Sequence, residues 1–259
     1  MSAVRDGAGD GANSSSSPLR IERRPDRVVA TLDRPEVRNA IDQATVDALH
    51  ELCAELEADP RVLILHGADG VFAGGADIAQ LRERGAADAL AGINTTAFRR
   101  VWELPMPVIA AVEGFALGGG AELAYAADIR IATPDLKIGN PEPALGIIAA
   151  AGASWLLPRL VGAGRAADML LTGRALDADE ALAWGLISAV HPAEELLPAA
   201  HAIADRIARL DPLAVQHAKR ALHAPAEAHP AIDLELQAEL FESPEKFRRM
   251  TAFLERKRS

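Results

Sequence analysis

Val108-Ile109-Ala110-Ala111-Val112-Glu113-Gly114-Phe115-Ala116-Leu117-Gly118-Gly119-Gly120-Ala121-Glu122-Leu123-Ala124-Tyr125 is the stretch on which the reading of the fold turns. The unbroken apolar run 108–112 predicts a short strand covered on both faces. The glycines that follow predict a tight loop, and Ala121 onward a helix. The same order occurs upstream, where Val62-Leu63-Ile64-Leu65 leads into Phe72-Ala73-Gly74-Gly75-Ala76-Asp77-Ile78. Asp128-Ile129-Arg130-Ile131-Ala132 predicts a third strand of this kind. Strand, glycine-rich loop and helix in succession imply an α/β fold with parallel strands joined by crossovers.

Working outward, two short strands are expected at Leu19–Arg23 and Val28–Leu32, with Arg24-Pro25-Asp26 as the turn between them. Asp42 is placed to cap a helix whose apolar residues Val46, Leu49, Leu52, Cys53 and Leu56 recur at helical spacing. A further helix is expected over Ala86–Val101, stopped by Pro105 and Pro107. From Ala163 the pattern is helical almost throughout, punctuated by Pro198, Pro212, Pro225 and Pro230. The expected organisation is a disordered Gly/Ala/Ser-rich tail over 1–17, a core over 18–195 and a C-terminal helical region over 196–259.

Composition excludes several classes of function. The chain has 259 residues and a formal charge of −10, which argues against a nucleic-acid partner, because phosphate binding needs clustered positive charge. Cys53 is the one cysteine, so no internal disulfide can form and a reducing interior is the natural setting. No apolar leader segment precedes residue 18, and no run is long enough to cross a bilayer. A cytoplasmic protein without membrane insertion is therefore expected. Asn94-Thr95-Thr96 fits the glycosylation pattern, as does Asn13-Ser14-Ser15; without an export signal both read as chance. The seven histidines show no ligand spacing, so no protein-held metal is expected.

The chemistry-bearing candidates lie at the two glycine loops. Gly118-Gly119-Gly120 between a buried strand and a helix would leave amide N–H groups unpaired at a helix N-terminus, suited to an anion or a developing oxyanion. The same glycines would also serve a plain tight turn. Gly74-Gly75-Ala76-Asp77 is a similar loop at the end of the preceding strand, and two such loops could aim donors at one oxygen. Glu122 stands in the first helical turn among alanines, and Glu142 lies in Asn140-Pro141-Glu142-Pro143. In an apolar wall both carboxyls would have raised pKa values and could exchange protons near neutrality; on a wet surface they would be ordinary charges.

Read together, Pro107–Ala124, Arg34-Pro35 with Asn39-Ala40, 72–78, 128–132, Leu157–Gly162, Leu171-Thr172-Gly173 and Ala252–Glu255 closely resemble the enoyl-CoA hydratase/isomerase (crotonase) superfamily. The resemblance implies a crotonase-like spiral of repeated ββα units with a C-terminal helical trimerisation region, forming a homotrimer or homohexamer. It implies an acyl-CoA thioester substrate, with coenzyme A as part of the substrate and no separate cofactor. It implies an oxyanion hole from the N–H groups of Ala76 and Gly119, with Glu122 activating water and Glu142 delivering a proton to Cα. The substrate-binding positions it implies are Arg38, Ala40, Ala73, Gly74, Gly75, Asp77, Ile78, Gly118, Pro141, Leu145, Ala150 and Trp155. The acyl pocket is expected from residues around Ala79–Trp102. Two glutamates favour hydration of a trans-2-enoyl-CoA. Ser154-Trp155-Leu156-Leu157-Pro158-Arg159 is similar to relatives that isomerise double bonds, so enoyl-CoA isomerase is the alternative reading. A non-catalytic binding protein of the same fold is a third.

Overall fold

The computed structural model describes residues 17–256; apart from Ser17, the tail expected over 1–17 lies outside the described residues. The chain runs through β1 (Leu19–Arg23), β2 (Arg27–Leu32), α1 (Gln43–Ala58), β3 (Val62–Gly67), α2 (Ile78–Glu83), α3 (Ala86–Ala91) and α4 (Ile93–Glu103). It continues with β4 (Val108–Val112), β5 (Phe115–Leu117), α5 (Gly119–Tyr125), β6 (Ile129–Ala132), β7 (Lys137–Gly139), α6 (Ala153–Val161) and α7 (Ala163–Thr172). Then follow β8 (Ala175–Leu176), α8 (Ala178–Ala183), β9 (Ala189–Val190), α9 (Ala193–Ala208), α10 (Pro212–His223), α11 (Ala231–Phe241) and α12 (Pro244–Arg256).

A six-stranded sheet has the order β1-β2-β3-β4-β6-β9, and a three-stranded sheet the order β5-β7-β8. β1 pairs antiparallel with β2; the other neighbours in the large sheet are parallel. The continuous apolar runs have the burial that their pattern predicts. Val28, Ala30, Leu63, Leu65, Val108 and Ala110 face one apolar cluster with residues of α1, α4 and α5. Their alternates Val29, Ile64, Ile109 and Ala111 face a second cluster with Leu196, Ala200 and Ala204 of α9. Side chains alternate across a strand, so a run covered by helices on both sides must be apolar at every position.

Asp42 caps α1 as expected, with Oδ1 accepting from the Thr45 N–H at 2.8 Å. Cys53 is buried, and burial pushes its thiol up to about 12, which suits a packing residue. Two expectations need correction. The helix expected over Ala86–Val101 is broken at Gly92, whose φ of 62° is left-handed, so α3 and α4 are separate. The boundary placed between 195 and 196 falls inside α9, which packs on the large sheet and belongs to its core. Beyond it, α10 is anchored to the core: Lys219 Nζ lies 2.8 Å from Asp128 Oδ2 and donates to Met106 O at 3.1 Å.

Close backbone contact brings the two glycine loops together. Ala73 N donates to Phe115 O at 3.0 Å, and Leu117 N donates to Ala73 O at 3.1 Å. A Cβ on Gly120 would stand 2.4 Å from Ala73 O and 2.7 Å from Ala73 Cβ, so only glycine permits this approach. Gly120→Ala is therefore expected to destabilise the fold by about 1–3 kcal/mol or more, read as a lower urea midpoint. A midpoint equal to the parent's would contradict the close packing.

Candidate active site

The paired loops leave two backbone donors in one place. Gly75 O accepts from Ile41 N at 2.8 Å and Asp77 N donates to Ile41 O at 3.0 Å, which turns the intervening Ala76 N–H the other way. Gly119 is the first residue of α5, where an N–H has no intrahelical acceptor. Neither N–H donates to a protein group among the described residues. The two are adjacent: a Cβ built on Gly119 would lie 3.6 Å from Ala76 N and 3.7 Å from Asn94 Nδ2.

Both residues line a cavity of about 440 Å³, together with Glu122 and Glu142. Glu122 is 4% exposed and Glu142 8%. α5 carries Glu122 into the cavity, and its Oε1 accepts from the N–H groups of Ala151 at 2.7 Å and Ala153 at 3.1 Å. Burial pushes its carboxyl up to about 7; the Ala153 and Ala151 N–H groups oppose the rise, and the nearby Glu142 charge adds to it. Burial likewise raises Glu142, against a hydrogen bond from Asn140. Asn140 Nδ2 is 3.5 Å from Glu142 Oε1, and Asn140 Oδ1 accepts from the Tyr125 hydroxyl at 3.0 Å. Glu142 Oε2 is buried and has no hydrogen-bond partner among the described residues. A buried carboxylate oxygen without a partner is costly unless something that binds there satisfies it. The arrangement offers two donors for one oxygen and two proton-exchanging carboxyls beside it.

Of the residues named from sequence, Ala76, Gly119, Glu122, Glu142 and Ala150 line the cavity. Ala73, Gly74, Gly75, Asp77 and Gly118 build its frame through backbone pairing rather than its wall. Asp77 caps α2 through Gln80 N at 3.0 Å, and Gly118 N donates to Gly139 O at 2.8 Å. Pro141 precedes the 3-10 turn Glu142–Leu145. Arg38 and Ala40 lie on the Arg34–Ile41 turn, outside the wall, with Arg38 O accepting from Gly74 N at 2.8 Å. Ile78 and Leu145 are 58% and 57% exposed and also outside it. Trp155 does not reach the cavity: its ring packs edge-on against Trp102 at 5.1 Å.

The rest of the wall comes from residues between Leu81 and Thr95 on one side, Arg84, Asp88, Ile93 and Asn94 among them, and from Ile147, Ile148 and Ala151 on the other. The first group falls in the stretch expected to shape an acyl pocket. The second was missed, although adjacent isoleucines between Gly146 and a run of alanines are unusual for a surface loop. Asn94, part of the chance glycosylation pattern and of that same stretch, lies in the wall at the start of α4.

The enoyl-CoA hydratase/isomerase family model matches residues 27–259. A short-chain-enoyl-CoA hydratase of Clostridium acetobutylicum is 36% identical over 247 residues, covering 92% of this chain and 95% of its own. A crotonyl-CoA hydratase of Syntrophomonas wolfei is 37% identical over 248 residues, with 92% and 95% covered. The crystal structure of an enoyl-CoA hydratase from Bacillus anthracis superposes with a TM-score of 0.87 at 32% identity, covering 92% of this chain and 96% of that one. Fold and site define a crotonase-type protein, and this chain belongs to the enoyl-CoA hydratase/isomerase family. Among the described residues no helix is long and apolar enough to cross a membrane.

Proposed function

We propose that this protein adds water to the double bond of a trans-2-enoyl-CoA, giving the 3-hydroxyacyl-CoA. The observation that carries the reading is the meeting of two buried glutamates with two unpaired backbone donors in one cavity. The thioester oxygen accepts from the N–H groups of Ala76 and Gly119. As water attacks Cβ, charge develops on that oxygen, where preorganised donors stabilise it most. Ionised Glu122 takes the proton from water; protonated Glu142 gives one to Cα. Acid–base work thus falls to the two side chains, and the reaction needs no cofactor. The names and coverage of the curated relatives support hydration over isomerisation. The exposed apolar residues Phe241, Phe247, Met250 and Leu254 on α11 and α12 suit assembly into a homotrimer or homohexamer, and the protein is read as cytoplasmic.

Crotonyl-CoA and a 3-enoyl-CoA separate the readings: hydration removes the conjugated-enoyl absorbance, whereas isomerisation creates it. The rate should also depend on pH in a defined way. The active form of the pair carries one proton in all, so acid removes the base and alkali removes the donor. With Glu122 raised to about 7, kcat/KM is expected to fall as pH rises through about 7 and the pair loses its last proton, and to fall again in acid once both carboxyls are protonated. A flat profile from about pH 5 to about pH 9 would rule out this division of labour.

A further inference from the structure

Arg84 is half-buried in the cavity wall, and its Nη1 donates to Asn94 Oδ1 at 3.1 Å. No carboxylate pairs with it among the described residues. This is unusual in a chain of net charge −10, where acids outnumber bases. Asp88, the other charged residue of that wall besides the two glutamates, forms no ion pair with it; its carboxylate accepts from Gly85 N at 2.8 Å.

The contact also settles how Asn94 is oriented. A guanidinium can only donate, so the amide oxygen of Asn94 must face Arg84. Its Nδ2 then points to the side of Gly119, 3.7 Å from where a Cβ would stand there. The remaining N–H groups of Arg84 and the amide of Asn94 thus make a patch of donors in an otherwise largely apolar wall. Leu81, Ile93, Ile147 and Ile148 are its apolar neighbours. A patch that only donates fits a group that only accepts, and a guanidinium fork fits a carboxylate best.

We propose that Arg84, with Asn94, selects acyl-CoA substrates whose short acyl chain ends in a carboxylate, that is, monothioesters of unsaturated dicarboxylic acids. This rests on the hydratase reading and adds to it the class of acyl chain. Asn94 stands beside the first residue of α5, one hydrogen bond from the guanidinium, so the patch lies close to the reacting carbons and suits few-carbon chains.

The test compares kcat/KM for crotonyl-CoA, trans-2-hexenoyl-CoA and glutaconyl-CoA, using the full chain. Glutaconyl-CoA is expected to exceed trans-2-hexenoyl-CoA at least about tenfold, because the alkyl substrate displaces water from the half-buried donors and offers them no acceptor. Arg84→Met should reduce that ratio to about one or below, and Asn94→Leu should reduce it in the same direction. If crotonyl-CoA is hydrated but glutaconyl-CoA has no advantage in the parent protein, the inference fails while the hydratase reading stands. An advantage that survives Arg84→Met also overturns it. If none of the three is hydrated, the failure lies in the hydratase reading itself. The parent panel decides the matter even if a variant does not fold.

Discussion

Glu122→Gln is expected to lower kcat for crotonyl-CoA hydration by roughly 10²- to 10⁴-fold, and Glu142→Gln by a similar factor. Glutamine can keep the existing contacts: its carbonyl oxygen can still accept from the Ala151 and Ala153 N–H groups that hold Glu122 Oε1. What it loses is the ability to exchange a proton. The loss should therefore fall on kcat and leave coenzyme A binding nearly unchanged.

Stability should move the other way for Glu122. Its folded pKa of about 7 lies above the ordinary 4.5, so the folded protein holds a proton that the unfolded chain releases earlier. The contribution favourable to folding is complete below about pH 4.5 and is lost as pH rises through about 7. Glu122→Gln should thus be more stable than the parent above neutrality, by on the order of 3 kcal/mol at most. Melting temperatures at about pH 8 and about pH 5 check this, with the advantage confined to the higher pH. A variant both less active and less stable at high pH would mark Glu122 as a structural residue.

Gly119→Pro carries the second large effect. Proline is tolerated at the first position of a helix, and it removes the N–H whose role is at issue. The added Cβ meets Ala76 N at 3.6 Å and Asn94 Nδ2 at 3.7 Å, ordinary contact distances. Loss of one oxyanion donor is expected to lower kcat by roughly 10²- to 10³-fold. Circular dichroism and gel filtration should match the parent. Turnover within a few-fold of the parent in a folded variant would remove Gly119 from the chemistry.

The sequence was most legible where one local rule decides the structure. β3 and β4 read directly from apolar runs, because a strand covered on both faces has few polar positions to spare; β6 read from its isoleucines despite Arg130, whose buried guanidinium donates to the carbonyls of Leu186 and Ala127. α1 read from its periodicity and the Asp42 cap. Gly92 did not announce itself as a helix break: a glycine in an alanine-rich stretch can be carried within a helix, and only its left-handed backbone ends α3. The α9 boundary was misplaced because Leu196, Ala200 and Ala204 show a helix with one apolar face, not the sheet that the face meets.

Much the same holds for the site. Glu122 and Glu142 were visible because a carboxylate among alanines, or between prolines, is poor structural material. Trp155 is expected at the substrate, but its ring packs edge-on against Trp102 of α4, a contact between helices that no local pattern reveals. Arg84 and Asn94, ten residues apart across the Gly92 break, meet only because α2 and α4 fold back over the cavity.

The most direct measurement is a crystal structure of the protein with an unreactive acyl-CoA bound. The thioester oxygen should lie within roughly 2.7–3.1 Å of both Ala76 N and Gly119 N, with the Cα–Cβ bond between the carboxyls of Glu122 and Glu142. A thioester oxygen held by other donors, or an acyl chain that bypasses the two glutamates, would contradict the account.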